Sequence, residues 1–146
     1  MDWLIQTDNS YAYVILRFGL AVTFFAHGTQ HAFGWHGGKG FKAQVANWHD
    51  KYHIPTPVAM FAVVIELFAI VSMVLGFLVR PAALGLAIFI GHALFLSHWG
   101  NGFFLNQRHG RGSGIEYTMA LVLMSLALAV GGAGALSIDG MLSRGY

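Results

Sequence analysis

Long apolar runs separated by short polar segments dominate the pattern of this chain. Apart from Glu66, no Asp, Glu, Lys or Arg interrupts four stretches: 18–38, 57–79, 81–107 and 117–138. Each stretch is longer than the roughly 20 residues that a helix needs to cross about 30 Å of hydrocarbon. The pattern predicts an all-α membrane protein, a four-transmembrane-helix bundle. Its spans are expected over about 11–33, 57–78, 81–99 and 114–133.

The connections between these spans differ in length. The second and third spans are joined by only about Val79–Pro81, and Pro81 suits the opening of a helix. The other two connections, 34–56 and 100–113, are longer and lie on one side of the bundle. Aromatic and lysine side chains alternate in the first of them, a mixture suited to lipid headgroups. Its Lys42–His53 part predicts either a short interfacial helix or an ordered loop that caps the bundle.

Composition agrees with a membrane protein of one domain over 1–146. The chain is 56% hydrophobic and only 10% charged, and its mean hydropathy is +0.60. Four spans use nearly all of its 146 residues, so no separate soluble domain is expected. The net charge of +2 comes from scattered side chains without a dense basic cluster, which gives no indication of nucleic-acid binding. Cysteine is absent, which excludes disulfides and thiolate metal sites in this chain.

The polar residues within the spans are unevenly distributed. Glu66 stands alone in its run, and an intramembrane acid costs about 2.5–3.5 kcal/mol on insertion scales, so it is expected to have a partner or a wet cavity. At 1.5 Å per residue, Glu66, His27 and His92 lie roughly 9–14 Å from the end with the long connections. Further polar groups lie closer to that end of the bundle: His31, His98 and Glu116. We therefore predict a polar cavity in this half of the bundle.

The opposite half is expected to lack acids and histidines. Arg17 and Arg80 lie near that interface, where long side chains can extend their charged ends to water.

Three interpretations of the polar residues remain open. In the first, Glu66, His27 and Gln30 satisfy one another and fix the helix packing. In the second, they form a binding or proton-coupled redox site for a small amphipathic molecule such as a quinone, whose carbonyl oxygens need donors like imidazole. In the third, His27 and His31, four residues apart on one helix face, bind a metal or haem with His92, although no paired Glu-x-x-His motif is present.

Several sequence blocks resemble the DoxX family of small four-helix membrane proteins, which includes subunits of thiosulfate–quinone oxidoreductase. The blocks follow the family's order through most of the chain: His27–Trp35, Gly37–Gly40, Ile65–Leu67, Gly76–Arg80, His98–Phe104, Gly114–Tyr117 and Gly132–Asp139. The matching polar positions are His27, Gln30, Glu66, Arg80, His98 and Glu116. The family often has Lys where this chain has His31. The resemblance implies a membrane-embedded component of an electron-transfer complex.

Residues and resemblance together predict an integral membrane subunit of a bacterial oxidoreductase, linked to quinone and placed in the bacterial cytoplasmic membrane with other protein subunits. The candidate cofactor-binding residues are His27, Gln30, Glu66, His92, His98 and Glu116. Quinone is the expected cofactor, ahead of haem or a metal, and no metal ligands are assigned. The alternatives are a non-catalytic structural or assembly subunit and, third, a carrier for a small apolar solute.

Overall fold

The computed structural model describes residues 2–105 and 113–143, and this part of the chain is helical. The predicted connection 100–113 therefore lies partly outside the described residues. Seven α-helices follow one another: α1 Asp2–Ile5, α2 Tyr11–Phe33, α3 Phe41–Tyr52, α4 Thr56–Leu75, α5 Val79–Ala93, α6 Ile115–Gly131 and α7 Ile138–Ser143. Helix α5 continues through a π-helical turn, Leu94–His98, and a 3-10 turn, Trp99–Asn101.

Three helical segments are long and apolar enough to cross a membrane. They are α2, α4 and α5 with its extension to Asn101. Helix α6 is apolar but has only 17 residues, at the lower end of the lengths that span a bilayer. The chain is thus an integral, multi-pass membrane protein, and the predicted spans agree with these helices to within about three residues at most ends.

Neighbouring long helices run antiparallel. Residue Gly28 of α2 lies against Glu66 of α4, whereas Gly76, just after α4, lies against Arg17 near the start of α2. Likewise Arg80, at the start of α5, donates from Nη1 to the carbonyl oxygen of Ala129 near the end of α6, at 3.1 Å. The main core between these helices is apolar and includes Leu20, Phe24, Met73, Leu86 and Leu128.

The first long connection contains a helix, α3, where the sequence predicted either a short helix or an ordered loop. It spans Phe41–Tyr52, one residue from the predicted Lys42–His53. Its Val45 forms a second small core with Ala59 and Val63 of α4, and Trp48 packs against this core. Apolar contacts with α4 thus hold α3 against the end of the bundle.

The predicted turn between the second and third spans is wrong by about three residues. Gly76 and Leu78 take left-handed backbone conformations, with φ of +65° and +51°, so the turn occupies 76–78 and α5 begins at Val79. The carboxylate of Asp139 accepts hydrogen bonds from the backbone N–H groups of Leu78 and Val79, at 2.9 and 3.0 Å. A carboxylate from 60 residues away thereby caps the helix, which the proline alone could not indicate.

The expectation for the half with the short turn also needs correction. Arg17 does not extend to water, because it is 1% exposed and donates from Nη2 to the carbonyl oxygen of Leu136 at 2.9 Å. Arg80 is also buried and donates from Nε to the carbonyl oxygen of Gln6 at 2.8 Å. An acid is present here too, since Asp139 is 1% exposed. The segment before α2 and the segment after α6 pack over these cations and supply backbone carbonyl acceptors.

Candidate functional site

A cavity of about 730 Å³ lies in the half of the molecule that holds α3 and the long connections. Helices α2, α3, α4, α5 and α6 and the π-helical turn all contribute to its wall. Most lining side chains are apolar, among them Phe24, Phe61, Ile65, Phe89 and Leu121. Its size falls within the range of sites for small organic ligands, which are mainly apolar with a few polar groups that fix orientation.

The most deeply buried polar group of the wall is Glu66. Its Oε2 lies 2.7 Å from Nδ1 of His31, a hydrogen bond between α4 and α2. Its Oε1 is buried and has no hydrogen-bond partner in the part of the chain that the structure describes. Buried polar atoms are nearly always paired, so an unpaired carboxyl oxygen in a cavity wall is unusual and suggests a functional role.

A close approach of α2 and α4 makes this pair. A Cβ added to Gly28 would lie 3.1 Å from Cδ1 of Ile70 and 3.5 Å from Cβ of Glu66, so α2 and α4 are close at this glycine and a larger residue would have to displace the end of the Ile70 side chain. Residues His27 and His31 flank this glycine on α2, with ring centroids 6.5 Å apart. The glycine thus brings the imidazole of His31 within reach of the carboxyl group.

Helix α3 covers the imidazole with an aromatic side chain. The Trp48 ring lies edge-on to His31, with 5.0 Å between ring centroids, and 5.8 Å from the ring of Phe89 on α5. Three elements therefore meet around His31. Shielding of this kind strengthens hydrogen bonds nearby because water is kept away.

Tyr52, at the end of α3, adds a polar group to the same wall. Burial alone would raise the pKa of its phenol, but a hydrogen bond with Ser97 and the nearby Lys51 outweigh burial and lower this pKa below the usual value. Ser97 belongs to the π-helical turn and also lines the cavity. Such turns are frequent at functional sites because they re-aim side chains.

Four of the six residues predicted to bind a cofactor line the cavity: His27, Glu66, His92 and His98. The Nδ1 atom of His92 lies 3.0 Å from the carbonyl oxygen of Ile88 in its own helix. The Nδ1 atom of His98 lies 2.9 Å from the carbonyl oxygen of Ser113. Each of these two rings therefore keeps only its other nitrogen for further contacts.

The other two predicted residues, Gln30 and Glu116, form hydrogen bonds with the segments that connect the helices. Gln30 donates from Nε2 to the carbonyl oxygen of His36, at 3.1 Å. Glu116 accepts at Oε1 from the backbone N–H of Leu105, at 2.8 Å, next to the start of α6. Neither is among the residues that line the cavity.

The interpretation in which Glu66, His27 and Gln30 satisfy one another is wrong for Glu66, which bonds to His31. A side-chain hydrogen bond between His27 and Gln30 agrees with it. Sequence reasoning also left Trp48, Tyr52 and Ser97 out of the site. The sequence places His31 at this end of the bundle and on one helix face with His27, but His31 is not among the candidate cofactor-binding residues. One interpretation of this segment was a loop that caps the bundle, but the sequence did not indicate that a helix packs on α4 with Trp48 against His31.

Within the described ranges 2–105 and 113–143, no three His, Cys, Asp or Glu side chains come together closely enough to hold a metal ion. Quinone as the expected cofactor, ahead of haem or a metal, stays a prediction.

The chain matches the model of a known protein family. The family model described as DoxX matches residues 12–99, more than half of the chain. This range contains α2 to α5, together with His31, Trp48 and Glu66. No match was found among curated proteins or among solved structures.

Proposed function

Because the chain belongs to the DoxX family, we propose that it is the membrane subunit of a bacterial oxidoreductase and binds a quinone in the cavity between α2, α3, α4, α5 and α6. The observation that carries this proposal is the polar pair His31–Glu66 in a mainly apolar cavity of about 730 Å³. A quinone headgroup is a planar apolar ring with carbonyl oxygens, so it needs apolar walls and a few well-placed donors. Imidazole side chains supply such donors.

The position of the opening also favours a lipid-soluble ligand. Ile88 lines the cavity and is 56% exposed, although it lies nine residues along α5, roughly 14 Å from the start of that helix. Phe61 of α4 likewise lines the cavity and is exposed. An opening at this depth faces lipid, so the ligand enters from the bilayer.

The electrons of such a reaction come from another protein. The chain has no cysteine and no nucleotide-binding motif, so we assign the redox centre to a partner protein. We therefore place the chain in a complex in the bacterial cytoplasmic membrane. Helix α6 is proposed as its fourth span, antiparallel to α5.

Quinone binding can be tested directly with the purified protein in mild detergent. Decylubiquinone is titrated while tryptophan fluorescence is followed, because Trp48 lines the cavity and contact with a quinone quenches it. We expect saturable quenching in the native chain and much weaker quenching in Trp48→Phe, with Trp99→Phe as the matched control outside the cavity. Quenching that does not saturate, or that is unchanged in Trp48→Phe, would contradict binding in this cavity.

A second measurement identifies the native ligand. Lipids extracted from the protein after gentle purification are analysed by mass spectrometry. A co-purifying quinone supports the proposal. Phospholipid alone, together with no saturable binding of decylubiquinone, would favour the non-catalytic structural or assembly subunit.

A further inference from the structure

Given that the cavity holds a quinone, as proposed above, we infer that His31 is the residue that contacts its polar end and that Glu66 is a positioning residue. The imidazole Nε2–H donates a hydrogen bond to a quinone carbonyl oxygen, while the carboxyl group holds the ring in place from behind.

Exposure distinguishes the two members of the pair. The side chain of His31 is 21% exposed, whereas that of Glu66 is 1% exposed, and Oε1 of Glu66 is buried. A ligand in the cavity therefore reaches the imidazole before either carboxyl oxygen. Since Nδ1 faces Glu66, the edge of the ring left for a ligand is the one that carries Nε2.

The hydrogen bond to Glu66 also determines whether Nε2 of His31 donates or accepts a hydrogen bond. A hydrogen-bonded pair with no net charge is cheaper to desolvate than a lone carboxylate, so we assign two exchangeable hydrogens to the pair as part of this inference. One lies between Nδ1 and Oε2, whichever atom formally holds it. The other then resides on Nε2, which becomes a donor in both arrangements. The ligand atom that it meets must accept a hydrogen bond, as a carbonyl oxygen does.

The aromatic wall fits the rest of a quinone ring. Trp48 packs edge-on against His31, and Phe89 lies against Trp48, so the donor is set beside flat apolar surfaces. A planar ring can stack there while one carbonyl faces Nε2. A hydrocarbon of the same shape would gain the stacking but leave the donor without a partner, which costs binding free energy.

The test compares two ligands of nearly the same shape, 1,4-naphthoquinone and naphthalene, by titration calorimetry in detergent micelles. We expect the native chain to prefer the quinone about fivefold to tenfold, the effect of one hydrogen bond. In His31→Phe the preference should fall below about twofold while naphthalene still binds. His31→Lys, which keeps a donor that can pair with Glu66, should retain the preference. The matched control is His49→Phe, because the His49 side chain is exposed and does not line the cavity.

The positioning role of Glu66 is tested in the same way. Glu66→Leu should lose most of the quinone preference and keep naphthalene binding, and Glu66→Gln, which can still bond Nδ1, should retain part of it. Misfolding would abolish the binding of both ligands. The ratio of the two affinities therefore separates a positioning role of Glu66 from an effect on protein stability. Should His31→Phe fail to fold, His31→Lys and the two Glu66 variants decide the result.

The outcomes distinguish the two proposals. Binding of the quinone by the native chain with an unchanged preference in His31→Phe would overturn the role of His31 and leave the proposed function intact. An unchanged preference in Glu66→Leu would overturn the positioning role. Failure of the native chain to bind the quinone at all would overturn the proposed function and the inference together.

Discussion

Among single residues, two buried carboxyl groups differ in how completely they are hydrogen-bonded. Asp139 accepts from two backbone N–H groups, one at each carboxylate oxygen. Glu66 is equally buried, yet only Oε2 is bonded and Oε1 has no partner among the residues described. A satisfied carboxylate stabilises the fold, whereas a half-satisfied one lowers stability and is retained where it serves a site.

Replacing Asp139 should therefore lower stability. Asp139→Ala removes the acceptor for the N–H groups of the partly buried Leu78 and the buried Val79, and it removes the negative charge near Arg17. The cost should be roughly 2–4 kcal/mol. Asp139→Asn keeps one acceptor oxygen and should cost less. Thermal unfolding in detergent, followed by tryptophan fluorescence, measures both effects. Asp50→Ala on the exposed side of α3 is the control, and equal midpoints for Asp139→Ala and this control would contradict the capping role.

At the scale of elements, the turn between α4 and α5 is held by contacts from other parts of the chain. The backbone oxygen of Gly76 accepts from the N–H of Asp139 at 2.9 Å, and Arg17 packs directly against the same glycine. The turn is thus a junction between the start of α2, the α4–α5 hairpin and α7. Its geometry depends on a residue without a side chain at position 76.

Gly76→Ala should be strongly destabilising. The residue has φ of +65°, and a Cβ there would lie 1.7 Å from Nη1 of Arg17 and 2.4 Å from Cβ of Ser137. We expect the thermal midpoint to fall by roughly 5–10 °C. The matched control is Gly91→Ala in α5, where nothing lies within 4 Å of an added Cβ and alanine favours the helix. A similar midpoint for the two variants would contradict the packing described at the turn.

At the scale of the whole molecule, the contacts of α7 and α1 indicate where the chain ends lie. Asp139 of α7 bonds to the start of α5, and Thr7, after α1, accepts at Oγ1 from the N–H of Gly134. Both terminal segments therefore lie at the same end as the short α4–α5 turn. Helix α3 lies at the other end with the long connections.

This arrangement predicts that α6 crosses the bilayer and that both terminal segments face the same side. Because the chain has no cysteine, single cysteines can be introduced at Asp8, Lys42 and Met141 and labelled with a membrane-impermeant maleimide in sealed vesicles. We expect Asp8→Cys and Met141→Cys to react from one side and Lys42→Cys only from the other. Labelling of Met141→Cys together with Lys42→Cys would mean that α6 does not cross.

The native particle should contain at least one further polypeptide. The outward face of α6 is apolar, with Leu123 58% and Val130 76% exposed, and the chain carries no redox centre of its own in the proposed function. Gentle purification from the native membrane, followed by native mass spectrometry, should give a mass above that of this chain alone. Turnover of quinone with a reductant by the isolated chain, without added protein or cofactor, would contradict this expectation.

The helices that follow from local pattern could be predicted from the sequence. Uninterrupted apolar length predicted α2, α4, α5 and α6 to within a few residues, because a helix must satisfy its own backbone inside lipid. The same pattern identified Glu66 as the costly group in its span. Its position along α4, nine residues from the start of the predicted span, also placed it correctly in the half with the long connections.

Tertiary structure alone decided the partners of the polar groups. Glu66 bonds to His31 because Gly28 lets two helices approach, and Trp48 reaches that pair because α3 folds back on α4. Asp139 caps a helix that begins 60 residues earlier in the chain. Helical period and hydropathy fix which face and depth a residue occupies, but a hydrogen bond between distant segments depends on how closely and at what angle those segments pack, and no local pattern records that.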